Sequence, residues 1–217
     1  MSMRVNYVRV AADHIELLQK DLIDVWYDLH PNADYPDEYP TVTDILKELP
    51  GDVEILTIQG WDALSWLLSP LKREETRRRA LGQLLEQDSW PAIDLPLVAI
   101  EGRDSQISVP AVDCGLGEGA FDSTKVQKLS TALSQITNDD LFRNFDFDTM
   151  RRFDLLGFGI TFSYDEEGKW TEKKLTAEER AAEERLAREW VSREFQALQQ
   201  FYRRAAASSQ YLITLFS

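Results

Sequence analysis

Between Leu175 and Phe216 the apolar positions change period once, which predicts a long helix followed by a short strand. Ala187, Trp190, Val191, Leu198, Phe201, Tyr202 and Ala205 recur at steps of three and four, so a helix places them on one face, with Phe195 on its margin. Thr176-Ala177-Glu178-Glu179 has the form of a capping box. The acidic first turns and Arg203-Arg204 near the end complement the helix dipole. The helix is expected to stop near Ala207-Ser208-Ser209. Tyr211 to Phe216 then has the β-branched and aromatic content of a buried strand.

Upstream, residues 3–10 alternate as a first strand, with Val5, Tyr7 and Val10 set against Arg4, Asn6 and Arg9. Asp13 is placed to cap a helix running to about His30, striped by Ile15, Leu18, Leu22, Val25, Trp26 and Leu29. Thr43–Leu49 reads as a helix, Val53–Ile58 as a strand and Gly60–Leu68 as a helix. Leu71–Leu85 reads as a further helix with Leu81, Leu84 and Leu85 inward. The apolar run Leu95–Ile100 reads as a strand. Helices are expected over Ser123–Ile136, begun by Thr124-x-x-Gln127, and over Leu141–Phe153, capped by Thr137 or Asn138. Leu155–Phe162 reads as extended. The expected fold class is α+β: one domain over residues 1–217, with several helices packed on a small, mostly antiparallel sheet.

Charge narrows the partners. The chain carries −14 at pH 7, with a pI near 4.6. Phosphate backbones and anionic lipid repel such a chain, so nucleic acid and membrane are not expected partners and a basic protein is. No apolar run approaches the ~20 residues that span a bilayer, and a single cysteine, Cys114, suits a reducing compartment, so a soluble cytoplasmic protein is expected. Two histidines and one cysteine are too few for the usual zinc ligand sets; no metal or cofactor is expected.

Two stretches are candidate sites. In the proline-broken loop after His30, Asp34, Tyr35, Asp37, Glu38 and Tyr39 combine aromatic anchors with carboxylates that steer a basic partner. Around the glycine loop, Gly115, Gly117, Glu118 and Asp122 precede a helix N-terminus, the alternative place for a small ligand or for acid–base chemistry. That loop lacks the Walker lysine and the dinucleotide spacing. The dense basic run Lys72-Arg73 and Arg77-Arg78-Arg79 is interleaved with Glu74 and Glu75 and reads as a solvated face. No catalytic constellation stands out. The expectation is therefore a non-enzymatic, acidic protein-interaction module, of inhibitor or immunity type.

The order of features in the second half resembles a known family. The glycine loop leads to Phe121-Asp122, a helix over Val126–Ile136, and then Leu141, Phe145-Asp146 and Met150. A long helix ending Phe201-Tyr202-Arg203-Arg204-Ala205-Ala206 and a final Leu212-Ile213-Thr214-Leu215 strand follow. With Tyr7-Val8-Arg9 and Gly60-Trp61-Asp62-Ala63-Leu64, this resembles the bacterial YfbM-like family, whose function is unknown. The resemblance implies a small α+β fold over most of the chain and carries no catalytic residues with it.

Overall fold

A computed structural model describes residues 4–20, 22–32, 42–49, 51, 53–81, 94–104, 107, 119–156, 162–164, 170–172 and 175–216. The first and last strands, β1 (Val5–Val10) and β6 (Tyr211–Phe216), pair antiparallel, from Val5 opposite Phe216 to Val10 opposite Tyr211. β2 (Glu54–Ile58) flanks β1 and β3 (Gly119–Phe121) flanks β6, both antiparallel, giving the order β2-β1-β6-β3. β4 (Phe162–Tyr164) and β5 (Trp170–Glu172) form a separate antiparallel pair. The helices are α1 (Ala12–Leu18), α2 (Leu22–Leu29), α3 (Val42–Glu48), α4 (Trp61–Leu68), α5 (Pro70–Ala80), α6 (Leu95–Glu101), α7 (Ser123–Ser134), α8 (Asn138–Phe142), α9 (Phe147–Arg152) and α10 (Ala177–Ala207).

Both faces of the sheet are covered at β1, β6 and β3, while Ile55 and Thr57 of the edge strand β2 are exposed. Val5, Tyr7, Phe121 and Leu212 join a core with α4, α6, α7 and α10, while Val8, Val10, Ile213 and Leu215 meet α1, α2 and α3 on the other side. Val10 thus lies opposite Val5 and Tyr7, not beside them. Side chains alternate strictly along a strand, but with apolar cover on both faces polarity no longer reports which face is which.

α10 carries its predicted capping box, with Thr176 and Glu179 exchanging both hydrogen bonds. Phe195 is buried within the apolar face and Trp190 sits at its margin, the reverse of the sequence expectation. Trp190 packs over Gly60, where an added Cβ would stand 2.9 Å from its ring. A broad indole cannot step aside as a flexible tip does. Gly60→Ala is therefore expected to lose about 1–3 kcal/mol of stability by overpacking, read from denaturant unfolding. A cost below ~0.5 kcal/mol would show that Trp190 is free to move.

The apolar run 95–100 is a helix, α6, and not the expected strand. Asp94 caps it, accepting from the Leu97 N–H at 3.0 Å, Pro96 sits in the first turn, and Gly102 closes it at φ 68°. Leu97, Val98, Ala99 and Ile100 are all buried, so the run has no polar face to reveal a helical period. The expected 13–30 helix is two, separated at Gln19-Lys20, and Asp13 lies inside α1, whose cap residue is Ala11. The expected 141–153 helix is also two, capped by Thr137 and Asp146. α7 is capped by Asp122, not Thr124. α5 ends at Ala80, leaving Leu81 72% exposed rather than inward.

α9 and α10 end alike. Beyond α9, Asp154 and Leu155 donate to the carbonyls of Arg151 and Met150, and beyond α10, Ser209 and Gln210 donate to those of Ala206 and Ala205. These are Schellman closures, with Asp154 (φ 54°) and Ser209 (φ 52°) in the left-handed position that glycine usually fills.

Candidate functional site

α5 is polar nearly all round, so the face it turns inward carries charge rather than apolar side chains. Ser69 caps it, accepting from the Lys72 N–H at 3.1 Å, and donates to Asp94 at 2.7 Å, tying the starts of α5 and α6 together. This sets Lys72, Glu75 and Arg79, spaced three and four apart, along the side that faces α4 and the end of α6.

Lys72 is buried. Its Nζ lies 2.8 Å from Glu101 Oε1 and 3.2 Å from Asp62 Oδ1, and 4.9 Å from the centre of the Trp61 ring. Glu101, at the end of α6, is 3% exposed and also accepts from Arg103 Nε at 2.7 Å. Arg103 reaches on to Glu75 Oε2 at 3.0 Å, and Glu75 Oε1 lies 3.3 Å from Arg79. The result is a continuous alternation of charge across three helices, Asp62–Lys72–Glu101–Arg103–Glu75–Arg79.

Burial disfavours the charged lysine, but the Glu101 and Asp62 carboxylates more than offset it and hold the Lys72 ammonium above its usual range. Burial pushes the Asp62 carboxyl up, opposed by Lys72. At neutral pH Lys72 is therefore a fixed cation rather than a neutral amine nucleophile.

The outer part of this network opens into a cleft of about 350 Å³ between Asp62 of α4, the Lys72–Ala80 stretch of α5, and residues 152–155 at the end of α9. The basic run 72–79, expected as a solvated face, is split. Lys72 and Glu75 are inside, and Arg77, Arg78 and Arg79 are exposed. The sequence reading missed Asp62, Glu101, Arg103, Arg152 and Asp154. The one available signal was an α5 with too few apolar residues to bury a face.

The sequence-predicted residues are placed as follows. Asp122 uses its carboxylate as the α7 cap, accepting from the Lys125 N–H at 2.7 Å. Gly115, Gly117 and Glu118, and the loop residues Asp34, Tyr35, Asp37, Glu38 and Tyr39, lie outside the described residues. Among the described residues no helix is long and apolar enough to cross a membrane.

The arrangement of a four-stranded antiparallel sheet with β1 and β6 as its central pair, and one long helix before β6, has a counterpart among solved structures. The crystal structure of a protein of unknown function, YfbM from Escherichia coli, is similar to this chain over 99% of both chains, with a TM-score of 0.54 and 12% sequence identity. The chain has a YfbM-like fold. At that identity the likeness to YfbM reports architecture alone. No family model matches the sequence, and no curated protein does.

Proposed function

We propose that the chain is an acidic protein-interaction module, of inhibitor or immunity type, that binds a basic partner. The observation that supports this most directly is the outer face of α2. Asp24, Tyr27 and Asp28 share one helix face at i, i+3 and i+4, all exposed. The Tyr27 ring packs edge-on against Trp26, centroids 5.2 Å apart, so it is partly immobilised before any partner docks. An aromatic anchor flanked by carboxylates, of which Asp28 also meets Lys20 at 2.7 Å, suits a basic surface: the ring supplies contact area, and the net charge of −14 speeds encounter and rejects acidic partners. In sequence, α2 runs toward Asp34, Tyr35, Asp37, Glu38 and Tyr39, which extend the same chemistry.

Affinity capture from the native cell lysate at low and high salt tests the reading, using wild type, an Asp24→Lys/Tyr27→Ala/Asp28→Lys variant and an Asp34→Ala/Asp37→Ala/Glu38→Ala variant. Wild type is expected to retain a basic protein that high salt weakens, and the α2 variant to lose at least about tenfold in affinity for it. A basic partner held equally by all three forms would remove this surface from the reading. Capture of no basic protein at low salt would overturn the reading itself.

A further inference from the structure

The cleft between α4, α5 and the end of α9 has unused binding capacity of both signs. Within the charge network each of Glu101, Glu75 and Arg103 is engaged by at least two opposite charges. Arg152 and Asp154, by contrast, line the cleft without an ion-pair partner among the described residues, one cation and one anion two positions apart. Arg79, its side chain 78% exposed, spends one nitrogen on Glu75 and keeps the rest of its fork. Lys72 takes Asp62 by Oδ1, leaving the second oxygen of that carboxylate. Phe153, half-buried, and Leu155 supply an apolar wall.

We propose that this cleft binds a small zwitterion, a free amino acid. The ligand carboxylate is taken by Arg152 and Arg79, which present guanidinium forks matched to it. The ligand ammonium is taken by Asp154 and the outer oxygen of Asp62. Charge decides against a phosphate. The cleft lining holds three cations, Lys72, Arg79 and Arg152, and three anions, Asp62, Glu75 and Asp154, so it is locally neutral, and the chain as a whole repels anions. A ligand with both signs suits Arg152 and Asp154 together, whereas a dianion would leave Asp154 facing a like charge. The volume is at the small end of the range for ligand sites.

The backbone at Asp154 adds an independent reason to look here. It occupies the left-handed position of a Schellman closure, as Ser209 does at the far end of α10. A strained non-glycine residue in a cleft is the kind of outlier that function retains against stability. The two positions form a matched pair, since glycine relieves the same strain at each and removes a cleft carboxylate only at Asp154.

The test is isothermal titration calorimetry with the standard amino acids, the N-acetyl and carboxamide derivatives of whichever binds, and inorganic phosphate. At least one free amino acid is expected to bind, and blocking either its ammonium or its carboxylate should abolish binding. Arg152→Gln and Asp154→Gly should each weaken it on the order of tenfold, the size of one lost charge-assisted contact. Ser209→Gly should bind as wild type. Asp154→Gly should also melt no lower than wild type, which separates lost contact from lost fold. Binding of no amino acid, equal binding of phosphate, or full affinity in both cleft variants would each overturn the proposal.

Discussion

Replacing Lys72 with methionine is expected to lower the unfolding free energy by about 3 kcal/mol at neutral pH. Methionine fills much of the same volume, so the loss is electrostatic. Glu101 is 3% exposed, so with the lysine gone its Oε1 loses the opposite charge that offsets its burial. Removing one partner of a buried pair typically costs about 3–5 kcal/mol, because the other charge stays desolvated. Arg103 remains on Glu101 Oε2, which places the loss at the low end of that range. A double-mutant cycle isolates the term: with Glu101 already changed to glutamine, the same Lys72→Met substitution should cost at least about 1 kcal/mol less. Denaturant unfolding of the four forms measures it. Additive costs would mean that Lys72 and Glu101 are neighbours without being coupled, and that the alternating chain of charges is a surface feature.

This network also marks the limit of what the sequence shows. The α10 cap was legible because Thr176 and Glu179 are three residues apart, and the β6 strand because its apolar content follows a clear stop at Ser208-Ser209. These are local signals, and local signals survive in one dimension. Lys72 has partners ten and twenty-nine positions away, at Asp62 and Glu101, and nothing in the basic run 72–79 announces that its first member points inward. The misreading of α6 compounds the problem. A helix without a polar side chain before Glu101 shows no period, so the run 95–100 reads as a strand, and a strand would not have delivered Glu101 to the start of α5. The architecture was nonetheless readable, because the long helix, the terminal strand and the first strand set the sheet's central pair. The acidic loop after His30 was singled out on composition, and the exposed Asp24, Tyr27 and Asp28 on the preceding helix share that composition.

Above about pH 10 the chain is expected to lose stability, with a slope that steepens toward about 4 kcal/mol per pH unit as the unfolded chain sheds three protons. Three buried groups drive this in the same direction. Tyr7 and Tyr202 are fully buried, and each hydroxyl donates to a carbonyl in the last turn of α6, Tyr7 to Ile100 and Tyr202 to Ala99 at 2.8 Å. These carbonyls have no partner within the helix, so the two tyrosines stitch the end of α6 to β1 and α10. Burial disfavours the phenolate and raises both tyrosines above their ordinary 10.0, and at Tyr7 the neighbouring Tyr202 and Glu101 add to it. Lys72 is raised above 10.5, burial being outweighed by Glu101 and Asp62.

The folded chain thus keeps three protons that the unfolded chain releases between about pH 10 and 10.5. Wherever the native state binds more protons, stability falls as pH rises, by about 1.4 kcal/mol per unit for each group. The contribution is complete below about pH 10 and is lost as pH climbs toward the folded-state values. Against a typical total of about 5–15 kcal/mol, one pH unit removes a large share. Denaturant titrations from about pH 8 upward give the slope, and near-ultraviolet phenolate absorbance gives the cause: the Tyr7 and Tyr202 signals should appear only as the chain unfolds. Tyr202→Phe should flatten the slope by about a third. It should also cost about 1–3 kcal/mol at neutral pH, because the Ala99 carbonyl is left buried and unpaired. An unchanged slope with a full neutral-pH cost would mean that the hydroxyl matters as a hydrogen-bond donor while its proton is not what fails at high pH. The alkaline limit would then rest with Lys72, whose release frees Glu101 and Asp62 to repel each other across the same buried gap.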